Sequence, residues 1–507
     1  MINLVLSILF IINYLLNTYL YLNIYQQAHY KYKRINKYHK IFIKNNCFFI
    51  ICIYFNILNN KLISTILIFI LLFINLFILI SRILKQIVYL KFTKRIIRIS
   101  LVHLIISLLL FIGIYNCINY SLPSLYLINL FLPLLLFLST VCLKPIEYSI
   151  NNKYISSAKS IISNVPNLIV IMITGSYGKT TIKNIIYELI KKDYITVSTP
   201  KSYNTELGIC KVINESITRS TEVFVVEAGA AEVNDLKKIC EIVKPDICVI
   251  SEIGNQHLET FKTIDNIIKE KFSIVNYLKD DGFVVLNNDN LYIKEKELIH
   301  LRTEQIKRVS INNVDNINYF PKLSFTVNGQ LFKTNLLGKH NITNILLSLE
   351  VINVLKYKNI IVKPIDIINR IENIKPIKNR LEYRQVNNIN IFDDCYNCNY
   401  QGFKNAIDLL KHSANKKIII TPGIVELGVY KKCYNEEIGL LIGQVFDEVY
   451  LVKSEVTKYL ELGLIKANKE YYLCDKFIDA YNEIIKDQKT IIDLLIENDV
   501  PDIYKER

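Results

Sequence analysis

The apolar positions follow two patterns along the chain. Up to about residue 145 they form long unbroken stretches, at 2–24, 46–60, 62–80, 100–118 and 124–142. A helix of about 20 apolar residues crosses the roughly 30 Å of hydrocarbon in a bilayer. These runs therefore predict about five transmembrane helices within 1–145, with 46–60 the shortest. Beyond 168 the apolar runs are brief. Residues 168–173, 223–226 and 247–250 read as strands buried on both faces. They alternate with helical periodicities to about 290, which predicts a parallel sheet with helices on both sides. Asn287 to Asn290 interrupt that pattern, and a shorter β-rich stretch follows to 337. A helix is expected over 341–358 and a Pro- and Lys-containing link over 362–379. A second α/β unit then carries strand runs at 389–392, 417–421 and 448–452. The expected class is α/β behind a helical transmembrane region, with three parts: 1–145 in the membrane, a central parallel-sheet domain at 155–360, and a Rossmann-like domain at 376–507.

Charge sharpens the first part. The 507-residue chain carries +15, but residues 1–150 hold fourteen Lys or Arg against Glu147 alone, which is +13 of that excess. A nucleic-acid footprint would lie on the folded domains instead, so no nucleic-acid partner is expected. The basic residues cluster at 31–44 and 82–98, whereas the gaps near 59–61 and 119–123 contain only Lys61. Because Lys and Arg favour cytoplasmic loops, five spans would place everything after Lys144 in the cytoplasm. The first run is too long, and lacks the basic start, to be a cleaved signal. No acidic or histidine side chain is expected mid-span, so the spans read as an anchor or docking site and not as a transport path. The eleven cysteines are scattered. Cys395 and Cys398 form a lone C-x-x-C with no second pair, which reads as ordinary reduced thiols.

The strand at 168–173 runs directly into Thr174-Gly175-Ser176-Tyr177-Gly178-Lys179-Thr180-Thr181, and a helical pattern follows. Gly175 and Gly178 let the backbone curl so that N–H groups face an anion at a helix N-terminus. Lys179 would reach the β- and γ-phosphates of ATP and Thr180 would meet Mg²⁺. The spacing is a shortened form of the usual phosphate loop. Glu227 ends the second buried strand, where a carboxylate can hold a metal, and His257 follows the third.

These residues, in this order, resemble the Mur ligase family, and within it the MurF type, which adds D-alanyl-D-alanine to a cell-wall precursor peptide. TGSYGKTT looks like the family's ATP loop, and Asn204 to Gly208 like its N-x-x-x-G segment. Glu227 and His257 match its metal ligands, and Lys271 matches the lysine carried as a carbamate. Gly338-Lys339-His340-Asn341 with Asn344 is similar to G-x-H-N-x-x-N. Arg380 resembles the arginine that opens the C-terminal domain. Asp393 to Asn399 resembles D-D-S-Y-N-A-N, with Asp394 meeting ATP, and Gly423 to Gly428 resembles G-x-M-x-E-L-G. The cofactors so implied are ATP and two Mg²⁺. Gly175, Ser176, Gly178, Lys179, Thr180, Thr181, Asn341, Asn344, Arg380 and Asp394 would bind nucleotide. Thr180, Glu227, His257 and carbamylated Lys271 would hold metal, and Lys179, His257 and Lys271 would serve the chemistry.

That chemistry is amide-bond synthesis. A carboxylate takes the γ-phosphoryl group of ATP, and an amine displaces phosphate from the resulting acyl phosphate. The implied substrates are a cell-wall precursor and an amino acid or dipeptide. The chain departs from the family at Tyr400, where proline is usual, and at Asn435, where a histidine is usual. It also has membrane spans in place of the uridine-diphosphate-binding domain, which leaves both UDP-linked and lipid-linked substrates open. A poly-γ-glutamate-type ligase and a non-catalytic membrane scaffold are the alternatives.

Overall fold

In the computed structural model the described residues are 2–28, 30, 32–35, 38–39, 42, 61–84, 86, 88–117, 128–200, 203–256, 258–299, 301–319, 323–395, 399–411, 413–425, 427–486 and 490–498. The chain forms two compact units that meet at residues 150 and 151.

The first unit is helical: α1 (Ile2–Gln27), α2 (Lys61–Leu84), α3 (Lys94–Cys117) and the start of α4 (Leu132–Asn164). Among the described residues, each of these four helices is long and apolar enough to cross a membrane. The run at 46–60 lies outside the described residues. Phe73, Phe77 and Leu109 are 64%, 73% and 64% exposed, so apolar side chains face outward as well as inward. Two expectations are corrected here. Lys94, Arg95 and Arg98 belong to the first turns of α3, not to a loop. Arg98 and Arg95 lie 2.6 and 4.0 Å from Glu147, so one carboxylate holds both cations against the helices. A histidine also lies mid-span. The ring of His103 meets the Tyr14 hydroxyl at 2.9 Å, and that hydroxyl also meets Ser107 Oγ at 2.7 Å. Partners inside the bundle offset the cost of placing a polar ring among apolar helices.

The second unit begins with the rest of α4 and, among the described residues, holds two six-stranded sheets and a three-stranded one. In chain order the first half runs β1 (Ile169–Thr174), α5 (Lys179–Ile190), β2 (Thr196–Ser198), α6 (Glu206–Ser216), β3 (Val223–Glu227), α7 (Asp235–Val243), β4 (Ile247–Ile250), α8 (Leu258–Phe261), α9 (Ile264–Phe272), β5 (Phe283–Asn287), α10 (Leu291–Lys294) and β6 (Ile306–Val309). The strands pair in the order β2-β3-β1-β4-β5-β6, all parallel. Strand alternation explains their continuous apolarity. Val170 and Met172 enter one core, while Ile169, Ile171 and Ile173 enter the core on the other face. A small antiparallel sheet follows: β7 (Val314–Asn318), β8 (Leu323–Val327) and β9 (Gln330–Thr334). Then come α11 (His340–Leu355) and α12 (Pro364–Glu372). The expected link at 362–379 thus contains a helix. Pro364 sits at its first position, where the missing N–H costs nothing.

The second half runs β10 (Glu382–Val386), β11 (Ile389–Asp394), α13 (Tyr400–Lys411), β12 (Lys416–Thr421), α14 (Lys431–Val445), β13 (Glu448–Val452), α15 (Thr457–Lys466), β14 (Tyr472–Cys474), α16 (Phe477–Lys486) and β15 (Ile492–Glu497). Its sheet order is β10-β11-β15-β12-β13-β14, parallel except for the β10 edge. The last strand in sequence therefore lies mid-sheet. In each sheet the strand order reverses beside the first parallel strand, and the carboxyl ends there form a natural ligand crevice.

Candidate active site

Strand register assembles the site. β1 lies between β3 and β4, with Ile173 beside Glu227 and Thr174 beside Ile250. The glycine-rich loop after β1 is therefore flanked by Glu227 on one side and by the 251–254 segment on the other. The loop is stitched to that segment: Ser176 N–H donates to the Glu252 carbonyl at 2.6 Å, and Gly254 N–H donates to Ser176 Oγ at 3.1 Å. Ser251 Oγ donates to the carbonyls of Thr174 and Tyr177. Gly175 has φ 148° and Gly178 has φ 81°, so both need glycine. A Cβ on Gly175 would come within 2.0 Å of Ser251 Oγ, and one on Gly178 within 2.5 Å of Asn344 Oδ1.

The charged groups lie behind this loop. Lys179, first residue of α5, donates to the carbonyls of Gly175 at 2.7 Å and Ser176 at 2.9 Å. Burial pulls its ammonium down to about 8, with Glu227 opposing and Arg380 reinforcing the shift. Lys183, one turn further on, is buried and reaches Glu227 Oε2 at 3.3 Å, while Asn204 Nδ2 donates to Glu227 Oε1 at 3.1 Å. Lys271 is 3% exposed, and burial, with Lys179 next, pulls it down to about 7. Its neighbour Glu270 points elsewhere and accepts from the N–H groups of Asn234 and Leu236 at the start of α7, each at 2.8 Å. Thr180 and Thr181 are half-buried in the first turn of α5. His257 falls outside the described residues, as do Tyr396, Asn397, Cys398 and Glu426. The Sγ of Cys395 accepts from Asn379 Nδ2 at 2.7 Å.

A cavity of about 650 Å³ opens in front of the loop. Tyr177, Gly178 and Thr181 line one side, Asn341 and Asn344 another, and Arg380 and Asp394 a third. Asn341 Nδ2 donates to the Leu337 carbonyl at 2.6 Å and its Oδ1 accepts from Asn344 Nδ2 at 2.9 Å, which fixes both amides. Asp394 Oδ1 accepts the Leu381 N–H at 3.1 Å. Burial pushes this carboxyl up to about 6, with Arg380 pulling it down.

Residues 173–352 match the family described as the Mur ligase middle domain. The chain carries a Mur ligase middle domain. Over 346 residues it is 26% identical to the UDP-N-acetylmuramoyl-tripeptide--D-alanyl-D-alanine ligase of Buchnera aphidicola subsp. Baizongia pistaciae, covering 65% of this chain and 72% of that one. MurF of Acinetobacter baumannii superposes with a TM-score of 0.61 at 21% identity, over 69% of this chain and 77% of that one. MurF ligase from Thermotoga maritima in complex with ADP gives 0.58 at 24%, over 69% and 80%. The second unit thus has the MurF-like α/β fold.

Mur ligases use ATP and Mg²⁺, and this middle domain fits both in kind. Its glycines leave room that a Cβ would fill, and Glu227 is a buried carboxylate at the loop's flank. Magnesium here would be held by Glu227 and the Thr180 hydroxyl. Three residues in or against this middle domain, Lys183, Glu252 and Tyr434, were given no role in the sequence. Lys183 is four residues from Lys179, hence on the same helix face, which is the signal that could have found it. Glu252 lines the cavity, and burial pushes its carboxyl up to about 7. Tyr434 stacks on Tyr400 with centroids 4.2 Å apart, and its hydroxyl accepts Asn255 Nδ2 at 2.6 Å, joining the C-terminal domain to the loop before His257. His340 adjoins Asn341, and burial pulls its ring down to about 4.

The Asp394 shift yields a prediction. Its folded value lies above the ordinary 3.8, so between about pH 4 and 6 the folded chain holds a proton that the unfolded chain has lost. Stability should fall as pH rises through that window. Asp394→Asn keeps an acceptor for Leu381 and removes the charge. It should stabilise the nucleotide-free chain by about 1 kcal/mol at pH 7, and by nothing measurable at pH 3.5. It should also weaken nucleotide binding about tenfold. Melting curves at the two pH values and an ADP titration check this.

Proposed function

We propose that this chain is an ATP-dependent, ADP-forming carbon–nitrogen ligase. It adds D-alanyl-D-alanine, or another amino acid, to the peptide of a cell-wall precursor at the cytoplasmic face of a membrane. The observation that carries the reading is that one cavity is lined together by the phosphate loop, by Asn341 and Asn344, and by Arg380 and Asp394. A nucleotide held there is gripped by both α/β domains, which places its terminal phosphate against the loop. A substrate carboxylate oxygen attacks the γ-phosphorus, the bond to ADP breaks, and an acyl phosphate forms. The amine nitrogen then bonds to the acyl carbon, phosphate departs and the amine releases a proton.

The barrier is largely electrostatic, since one anion approaches another. Lys179 exchanges its loop carbonyls for phosphate oxygens, and Arg380, which lines the cavity, adds a second cation. Magnesium, when bound, neutralises further phosphate charge. Lys271 enters as a carbamate in this reading, because a buried lysine near Lys179 serves a metal only once its charge is reversed. A carbon-13 carbonyl signal from chain equilibrated with labelled bicarbonate, lost in Lys271→Ala, is the expected result. The apolar outward faces of α1, α2 and α3 support membrane residence.

The test uses the full chain in detergent with ATP and a UDP-linked or lipid-linked muramoyl tripeptide. D-alanyl-D-alanine or glutamate is supplied as the amine, and product mass and ADP are measured. Dipeptide addition is expected. Glutamate as the sole amine would move the assignment to the poly-γ-glutamate type. No product, with ADP release equal to that of Lys179→Ala, would sink the enzymatic reading.

A further inference from the structure

Lys183 has no part in the reaction just described, yet it occupies the carboxylate that should receive a metal. Its ammonium lies 3.3 Å from Glu227 Oε2, with the two side chains 2% and 3% exposed. The other oxygen accepts from Asn204 at 3.1 Å. Both oxygens of Glu227 are thus engaged by protein donors. Among the described residues, no group of three His, Cys, Asp or Glu side chains stands ready as an alternative metal site. A carboxylate this deeply buried is costly when left unpaired, so some cation must accompany it in every state. A divalent ion and an ammonium cannot share one oxygen without strong repulsion.

We propose that Lys183 is a built-in counter-cation. It neutralises Glu227 in the metal-free site and competes with the divalent ion for Oε2, so that metal is retained mainly when nucleotide arrives with it. This makes Lys183 a positioning residue that sets metal affinity, and the inference rests on the ligase reading of the site.

The experiment is a Mn²⁺ titration of the full chain in detergent at saturating ADP, following free Mn²⁺ by electron paramagnetic resonance. Lys183→Met should bind Mn²⁺ about tenfold more tightly than the unmodified chain. It should also gain more in melting temperature on adding the metal, because its Glu227 has lost the alternative partner. Lys183→Gln keeps a donor without the charge and must move in the same direction. It decides the matter if the methionine variant does not fold. Lys183→Arg, which keeps the charge, should stay within about twofold of the unmodified chain. Equal or weaker Mn²⁺ binding in the neutral variants, with normal binding by the unmodified chain, overturns the role of Lys183 alone. Absence of Mn²⁺ binding in every chain overturns the ligase reading as well.

Discussion

Lys179→Ala is expected to lower ATP turnover by about 10³-fold, the scale set by removing one preorganised charge from the path of a developing anion. The reason lies in how the lysine is held. Its side chain is half-buried and its ammonium rests on the carbonyls of Gly175 and Ser176, at 2.7 and 2.9 Å. Those carbonyls belong to the loop that must cradle the phosphates, so the lysine is stored within reach of its target. Lys183, the next lysine along α5, reaches Glu227 instead, at 3.3 Å. Alanine leaves the fold intact, because α5 is anchored by Ile182, Ile185, Ile186 and Leu189 in the core. The melting temperature without nucleotide should therefore change little, while the rise in melting temperature on adding ATP should largely vanish. Lys179→Arg should fare nearly as badly, since a planar fork does not fit between two loop carbonyls arranged for a compact ammonium. Phosphate release and ATP-dependent melting, measured together, check both variants. Turnover above a tenth of the unmodified rate in Lys179→Ala would remove this lysine from the chemistry.

The parts of the fold that were legible in the sequence are those where one physical cause dominates. A strand covered on both faces must be apolar throughout, and β1, β3, β4, β11, β12 and β13 all announced themselves so. β15 did not, although it sits in the middle of its sheet. Its run is broken by Asp493, which is buried and accepts from Asn390 at 2.8 Å and Asn415 at 3.1 Å. Those partners come from distant segments, and no local pattern reveals them. Helix α12 was hidden for a different reason: Pro364 reads as a breaker unless it falls at a first turn. Motif order singled out the loop, Glu227, Lys271, Arg380 and Asp394, and of these the loop, Arg380 and Asp394 line one cavity. The same order gave no hint of the Lys183–Glu227 pair, because a lysine in a helix is ordinarily a surface residue. Only the parallel register of β1 and β3, which sets Glu227 beside Ile173 and under α5, brings the buried Lys183 ammonium within 3.3 Å of that carboxylate.

Asn435→Ala should destabilise the C-terminal domain by about 3 kcal/mol, with a matching fall in the denaturant midpoint. In sequence this asparagine looked like a departure, a position where the resembled family has histidine. In the structure it is fully buried and fastens the turn after β12. Its Oδ1 accepts the Ile424 N–H at 2.8 Å, and its Nδ2 donates to the carbonyls of Ile424 at 2.9 Å and Lys431 at 2.8 Å. Gly423, with φ 83°, lies against it: a Cβ there would stand 2.8 Å from the same Oδ1. Alanine would leave the Ile424 N–H and carbonyl without partners in a buried turn, each worth about 1–3 kcal/mol. Asn435→Asp tests whether the donors matter. At pH 7 it keeps the acceptor but turns a carboxylate oxygen toward two carbonyls, so it should be at least as harmful as alanine. An aspartate variant as stable as the unmodified chain would show that Nδ2 contributes nothing. The loss should also reach the active site. Asn435 fixes the start of α14, and the preceding residue, Tyr434, is the one whose hydroxyl holds Asn255 at 2.6 Å. Loosening the turn should release that contact and weaken ADP binding severalfold even where the domain remains folded, which an ADP titration below the denaturation midpoint would detect.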